Sequence, residues 1–459
     1  MNVLKHKLGR HSAPRPPGPA ALPFLGPIGE VRRDPLGFMV RTARAHGDVA
    51  YTRFAGMPTY LLSHPDAIEH VLLTGRANYP KSDLAIRFRP LLGEGLLTSG
   101  GALWTRQRKL MSPAFQHKRV LAYADAMSRA TEEHLHRWVS GEVRSVNEDM
   151  MHLTLDIAVR TLFGASSSAH EARVSRALHD VSDYFARTLS QPFPWPLSVP
   201  TPLNRAFLAA RAELDEVVHG IIREKRQSQE RSDDLLTTML ELTDEHGQGM
   251  SDQQLRDEVL TLLLAGHETT ALTLTYALYL LAQHPEVADW VAAELSAVLG
   301  DRPPTLADLP ALVRTEQLVK EAMRLYPPAA VLTRKAREDD VVMGWTIPAG
   351  SMVVLPQWVT HRDPRYFDDP ERFWPERWTE ALEAKLPRFA YFPFGGGGRV
   401  CIGSAFATLE ARLALAELVR RFRYRNVDTR PLELIASITV RPKHAVRLEI
   451  TERRRAASP

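Results

Sequence analysis

Residues 251–281 constrain the fold more than any other stretch. Ser251-Asp252-Gln253-Gln254 has the spacing of a capping box, a hydroxyl and a glutamine placed to satisfy the first amides of a helix. From Val259 to Leu281 the chain is almost wholly apolar. That length also suits a bilayer span. His267 and Glu268 stand at its centre, however, and a charged side chain there costs about 3 kcal/mol on insertion scales. The stretch therefore predicts a long helix at the centre of a large water-soluble protein. His267-Glu268-Thr269-Thr270-Ala271 opens like a zinc-protease helix, but alanine stands where the second histidine is needed, which excludes that metal site.

The second constraint is Phe394-Gly395-Gly396-Gly397-Gly398-Arg399-Val400-Cys401-Ile402-Gly403. It holds the only cysteine of the chain. Four glycines let the backbone turn tightly and pass close to a bulky partner. An apolar run with helical spacing, Ala405 to Leu418, follows. Cys401 thus falls just before a helix N-terminus, where amides and the helix dipole favour a thiolate. A lone cysteine is more often a small buried hydrophobe. A phosphate-binding loop requires Gly-Lys-Ser/Thr after its spacer, and Arg399-Val400-Cys401 stands there instead.

The loop matches Phe-x-x-Gly-x-Arg-x-Cys-x-Gly at every fixed position. It resembles the haem-binding loop of the cytochrome P-450 superfamily, the haem-thiolate monooxygenases. The resemblance implies Cys401 as the axial ligand of a haem b iron, with Arg399 on a propionate and Phe394, Gly395 and Gly403 around the sulfur. Ala265-Gly266-His267-Glu268-Thr269-Thr270 resembles the family's oxygen-activating segment. There Ala265 and Gly266 let the helix lie close to a flat macrocycle, and Glu268 and Thr269 deliver protons. Thr269 follows Ala265 by four residues, so both share a side. A threonine hydroxyl in such a stripe also bonds the carbonyl four residues back; that reading suffices for Thr275 and competes for Thr269.

Trp104 and Arg108, at i and i+4 in Trp104-Thr105-Arg106-Gln107-Arg108, share a helix face. Alone they read as a solvated cationic helix; the resemblance makes them propionate holders. Glu321 and Arg324 sit at i and i+3 among apolar neighbours. The resemblance adds Arg377 and makes the three a structural triad. After Tyr326-Pro327-Pro328, which stops a helix, Ala329, Ala330 and Val331 are implied to line the haem edge. Arg334 takes the next propionate, with Lys335 and Arg337 as alternatives. Other pocket candidates are Leu84, Ile86 and Phe88 in a long loop over residues 80–101, Leu262 and Thr270 on the central helix, and Ile438. A surface loop is an equal reading for any one of the first three.

The remaining chain reads as a hairpin over 48–63, a helix from His64-Pro65-Asp66, several amphipathic helices over 119–227, and strands over 341–356 and 434–450. Gln191-Pro192-Phe193-Pro194-Trp195-Pro196 breaks the helical run where the family has its lid. Residues 1–29 read as a proline-rich lead-in, and 30–459 as one catalytic domain. Length alone would suggest about three domains.

The composition, 44 % hydrophobic and 24 % charged in 459 residues, is globular. A net charge of +4, spread along the chain, argues against nucleic acid as a partner. A single cysteine excludes an intrachain disulfide and suits a cytoplasmic location. No anchor helix precedes the prolines, and no dinucleotide fingerprint or iron–sulfur cysteine set occurs.

The expected fold is therefore mainly α with a smaller β-rich lobe (α+β), cytochrome P-450-like, with haem between a long central helix and the cysteine loop. The expected activity is insertion of one atom of O2 into a lipophilic fatty-acid, terpenoid, carotenoid or macrolide-like substrate. Electrons would come from a separate ferredoxin or flavodoxin with its NAD(P)H-dependent reductase, docking on Arg106, Lys109, Lys118 and Arg119. Two other readings stay open: a haem-thiolate peroxygenase or isomerase, and a non-enzymatic haem sensor or electron-transfer protein.

Overall fold

The computed structural model describes residues 14–453, apart from 21, 23–25, 55, 83–85, 165–170, 190, 192–193 and 228–233. The chain divides into two compact units. The first comprises Met1–Leu84, Ala330–Pro370 and Leu386–Val400; the second comprises Ala85–Ala329, Glu371–Lys385 and Cys401–Pro459.

The first unit is built on a four-stranded sheet, Val49–Phe54, Met57–Leu62, Met352–Leu355 and Leu332–Lys335 in spatial order. The first pair is an antiparallel hairpin closing with Phe54 opposite Met57. Met352–Leu355 joins it in parallel, and Leu332–Lys335 adds antiparallel to that. Tyr60, Leu62, Val353 and Leu355 alternate onto a core shared with Ile68, Ile347, Phe389 and Phe392. Each leucine buried in full there contributes about 2 kcal/mol of transfer free energy. A second hairpin, Asp340–Val342 with Trp345–Ile347, turns at Met343 and Gly344, whose φ values of 50° and 80° give the twist that a two-residue loop needs.

The second unit is mainly α. Its central helix, Asp252–Gln283, is buried along almost its whole length. The Ser251 hydroxyl accepts from the Gln254 amide at 3.2 Å. Only this half of the expected capping box forms, because the Gln254 side chain meets Arg106 instead. Helices Val146–Phe163, Pro202–Gln227, Val313–Leu325 and Ser404–Arg421 pack around it. A helix apolar on all sides is stable only when so enclosed. Among the described residues no helix is long and apolar enough to cross a membrane.

The loop expected over 80–101 contains a helical turn, Arg89–Leu92, and its following backbone is fastened to the central helix. Glu94 N–H donates to Asp257 at 2.9 Å and Leu96 N–H to Glu258 at 2.8 Å. A side chain at Gly95 would run into Thr261 and the Asp257 backbone, which explains that glycine. The strands expected at 434–450 are a hairpin, Leu434–Ala436 with Val440–Pro442, and Arg447–Glu452 in a separate three-stranded sheet. Tyr276 OH donates to the Val440 carbonyl at 2.7 Å, and Val440 N–H to Pro328 O at 2.9 Å, so the hairpin is bolted in place.

Candidate active site

The central helix is interrupted by one open stripe. Ala265 is exposed and Leu262, Gly266 and Thr269 are half-buried, while their neighbours along the helix are covered. The stripe follows the 3–4 residue spacing of one helix face. Its side chains are small where it is most open. Thr269 donates to Ala265 O at 2.7 Å, and Thr270 to Gly266 O at 3.1 Å. Thr275 makes the same bond to Ala271 O at 2.7 Å. Hydroxyl geometry therefore does not separate Thr269 from Thr275; exposure does, because Thr275 is fully buried.

Glu268 is buried and engaged with the hairpin. Thr439 Oγ1 donates to its Oε1 at 2.7 Å, and Arg441 Nε lies 3.6 Å from the same oxygen. His267 is buried too, with Nδ1 3.0 Å from Leu263 O, and burial lowers its pKa. Neither Thr439 nor Arg441 is marked by a local pattern.

Cys401 also belongs to this unit and is exposed, as is Ala405 one turn on. The protein around its sulfur is nevertheless dense. Burial pushes the thiol up, against the Gly403 amide and the Arg108 charge, which pull it down. Amides and the helix dipole favour a thiolate at this position, and here desolvation outweighs them. Desolvation wins until a cation arrives at the sulfur. Burial lowers the Arg108 pKa while the Cys401 charge raises it. Trp104 is half-buried on the same helix, Gly101–Met111.

The first unit carries the preceding half of the loop. Phe394 is half-buried and Gly395 turns with φ 72°. A side chain at Gly396 would meet the Phe389 ring, and one at Gly397 the Leu72 carbonyl. Two of the four glycines are thus demanded by packing within the protein. Phe392, at the foot of the loop, accepts from Gln357 Nε2 and donates to His361 Nε2 at 3.0 Å; both partners are fully buried.

Three cations gather in this unit. Lys81 and Arg334 face each other across an isolated β-bridge. Burial, then Arg399 and Arg334, push Lys81 down to about 7. Burial brings Arg334 down to about 10, and burial with Arg334 brings Arg399 down to about 10. Arg334 is buried and donates to Thr333 O at 2.9 Å, whereas Arg337 is exposed. Desolvation is the largest influence on all three and opposes their charge.

Glu321, Arg324 and Arg377 come together in the second unit, all buried. Arg324 grips Glu321 with Nε and Nη2, both at 2.8 Å, and Arg377 Nε adds a bond at 3.1 Å. The Trp374 amide and the Trp378 indole each donate at 2.9 Å. Arg372 O accepts from both arginines.

The expected pocket residues are scattered. Leu84 lies outside the described residues, as do Pro192 and Phe193 of the expected lid break. Ile86 is exposed. Phe88 is buried against Phe185, ring centroids 4.7 Å apart, in a cluster with Tyr184 and Phe207. Ala329 and Val331 are half-buried, Ala330 is buried, and Ile438 is half-buried at the hairpin tip. Two of the basic residues expected to dock a redox partner are paired instead, Arg106 with Asp244 and Lys109 with Glu245. Arg119 donates to Thr238, and Lys118 is exposed. Sequence reasoning missed Lys81, and also two buried acids, Glu258 pushed up to about 7 and Glu410 to about 8 by burial.

In the second unit, an accessible thiol beside an arginine and an open strip of small residues on a buried helix fit a flat, thiol-ligated cofactor. The cytochrome P450 family model matches residues 16–448, and the chain belongs to that family. The chain is thus a monooxygenase of the cysteine-ligated haem class, which uses O2 and a redox partner. Cyclooctatin synthase and cyclooctat-9-en-7-ol 5-monooxygenase of Streptomyces melanosporofaciens are each 37 % identical. They align over 412 and 413 residues, 89 % of this chain and 90 % and 89 % of their own lengths. Pentalenene oxygenase of Streptomyces avermitilis is 33 % identical over 450 residues, 97 % of this chain and 99 % of its own. Among solved structures, retinoic acid bound cyanobacterial CYP120A1 superposes with a TM-score of 0.85 at 28 % identity, covering 96 % of this chain and all of that one.

Proposed function

We propose that this enzyme oxygenates a terpenoid, with haem b on Cys401 and electrons from a ferredoxin or flavodoxin. The open stripe on the central helix carries this reading. A helix that is buried through its middle but bares Leu262, Ala265, Gly266 and Thr269 there is shaped for a flat apolar ring. The names of the three Streptomyces relatives support a terpenoid substrate.

When bound, the haem supplies the iron at which O2 is reduced and its bond cleaved. Cys401 would hold the haem iron as a thiolate, the metal's charge offsetting the burial that favours the thiol. The Gly403 amide stays on the sulfur. Trp104, Arg108, Arg334 and Arg399 take the propionates, and Phe394 and Gly395 shield the ligand. Ala265 and Gly266 permit close approach. Thr269 turns its hydroxyl from Ala265 O to hold a water, and Glu268 passes protons to it. Leu262, Thr270, Ala329, Ala330, Val331 and Ile438 keep bulk water from the substrate, with Ile86 on the entry side. Glu321, Arg324 and Arg377 hold the backbone and do no chemistry.

The test is Cys401→Ser. The wild-type reduced carbonyl complex is expected to show the red-shifted Soret band of thiolate ligation, and the variant to lose both band and oxygenation. A variant that keeps the band would overturn the ligand assignment.

A further inference from the structure

Glu268 does not face the open stripe as a free acid. Its Oε1 takes a hydrogen bond from Thr439 at 2.7 Å and lies 3.6 Å from Arg441 Nε. Both partners sit on the 434–442 hairpin, Thr439 at its tip and Arg441 within Val440–Pro442. The hairpin does not drift, because Tyr276 OH holds the Val440 carbonyl and the Val440 amide is tied to Pro328. Arg441 is the only one of these groups with a substantial exposed face, 27 % of its side chain, so it connects the acid to water. The charged or titratable groups acting around Glu268 are Arg441 from the hairpin and His267 and Tyr276 from its own helix.

We propose that Thr439 and Arg441 are positioning residues that hold the Glu268 carboxylate against the hairpin, so that each proton it passes inward requires release of the Thr439 bond. This rests on the reading of Glu268 as proton carrier. The carboxylate takes its proton from water on the Arg441 side. It leaves Thr439 as a neutral acid and hands the proton to the water held by Thr269. It then returns as an anion to the two donors it left. A hydrogen bond to an ionised acceptor is about twice as strong as a neutral one, which makes the hairpin a holding point. Ile438, beside Thr439 in the chain, places the release next to a candidate substrate contact.

The inference separates two variants by sign. Glu268→Gln removes the carrier, so turnover slows and its solvent deuterium isotope effect rises. Thr439→Val removes the latch and keeps the shape, so the isotope effect falls below that of the wild type, and Thr439→Ser restores it. Arg441→Gln, at a partly exposed position, acts in the Thr439→Val direction and guards against a folding defect at the buried site. A difference infrared band of the carboxylate, assigned by its loss in Glu268→Gln, shifts in Thr439→Val and not in Thr439→Ser. An isotope effect that is unchanged or raised in both latch variants, or an unmoved infrared band, overturns the inference while leaving the carrier intact. Normal turnover and isotope effect in Glu268→Gln overturn the carrier and the latch together.

Discussion

Two charge clusters, one in each unit, differ in their balance of charge. Around Glu321 one carboxylate serves two guanidiniums, and Trp374, Trp378 and Arg372 O take up the remaining hydrogen-bonding capacity. Around Arg334 three cations meet; burial lowers all three, and neighbouring cations lower Lys81 and Arg399 further. A buried ion pair is stable only when every partner is supplied. The Glu321 cluster finds its partners in the chain and is a structural part. The Arg334 cluster gathers like charges, and burial opposes each of them.

The comparison breaks most sharply at Glu321. Glu321→Gln leaves two guanidiniums buried over a neutral amide and is expected to cost about 3–5 kcal/mol. Urea unfolding of the cofactor-free chain measures it. An apoprotein as stable as the wild type would mean that the arginines find other partners.

Arg334→Gln is expected to do the reverse. The apoprotein keeps or gains stability, since one repelling charge has gone. The loaded protein loses about 2 kcal/mol of haem affinity, the scale for removing one member of a buried charge pair. Transfer of haem to an acceptor apoprotein reads the second quantity. A destabilised apoprotein with unchanged haem retention would make the trio structural after all.

The smallest effect is in pH. Burial pushes Lys81 down to about 7, whereas an unburied lysine holds its proton to about 10.5. Between these values the unfolded chain binds more protons, so apoprotein stability rises with pH across that window. The penalty is present in full below pH 7 and is gone above about 10.5. Lys81→Met is expected to flatten the rise between about pH 7 and 9. Bound haem flattens it too, by bringing carboxylates to the lysine. Urea midpoints across that range compare the three forms, and an equal slope in all of them would detach Lys81 from the site.

What the sequence disclosed was local. The cysteine loop, the central helix and the Glu321–Arg324 pair lie within a few residues or one helical turn of themselves, where spacing is enough to read. Arg377 came only by resemblance, and Trp374 and Trp378 as further partners of Glu321 were invisible. Thr439 lies far along the chain from Glu268, and nothing in Ser437-Ile438-Thr439 announces an acid beside it. Lys81 was passed over for the same reason, since its meaning lies in a bridge to Arg334. Phe88 read as a pocket residue because it is apolar in a loop, but its ring went to Phe185. The Gln254 side chain left its capping role for Arg106 because an arginine was in reach. Local patterns state what a segment is able to do, and tertiary neighbours decide which option is taken.

The cation trio draws one residue from early in the chain and two from its last third. A ribosome delivers Lys81 and the whole central helix long before Arg399 and Cys401 exist. Cofactor capture is therefore an event after synthesis, performed on a nearly finished apoprotein whose charges already repel. Cells short of haem would accumulate that form, with its stripe of small residues bare and available to chaperones and proteases. Haem supply would then limit the yield of enzyme.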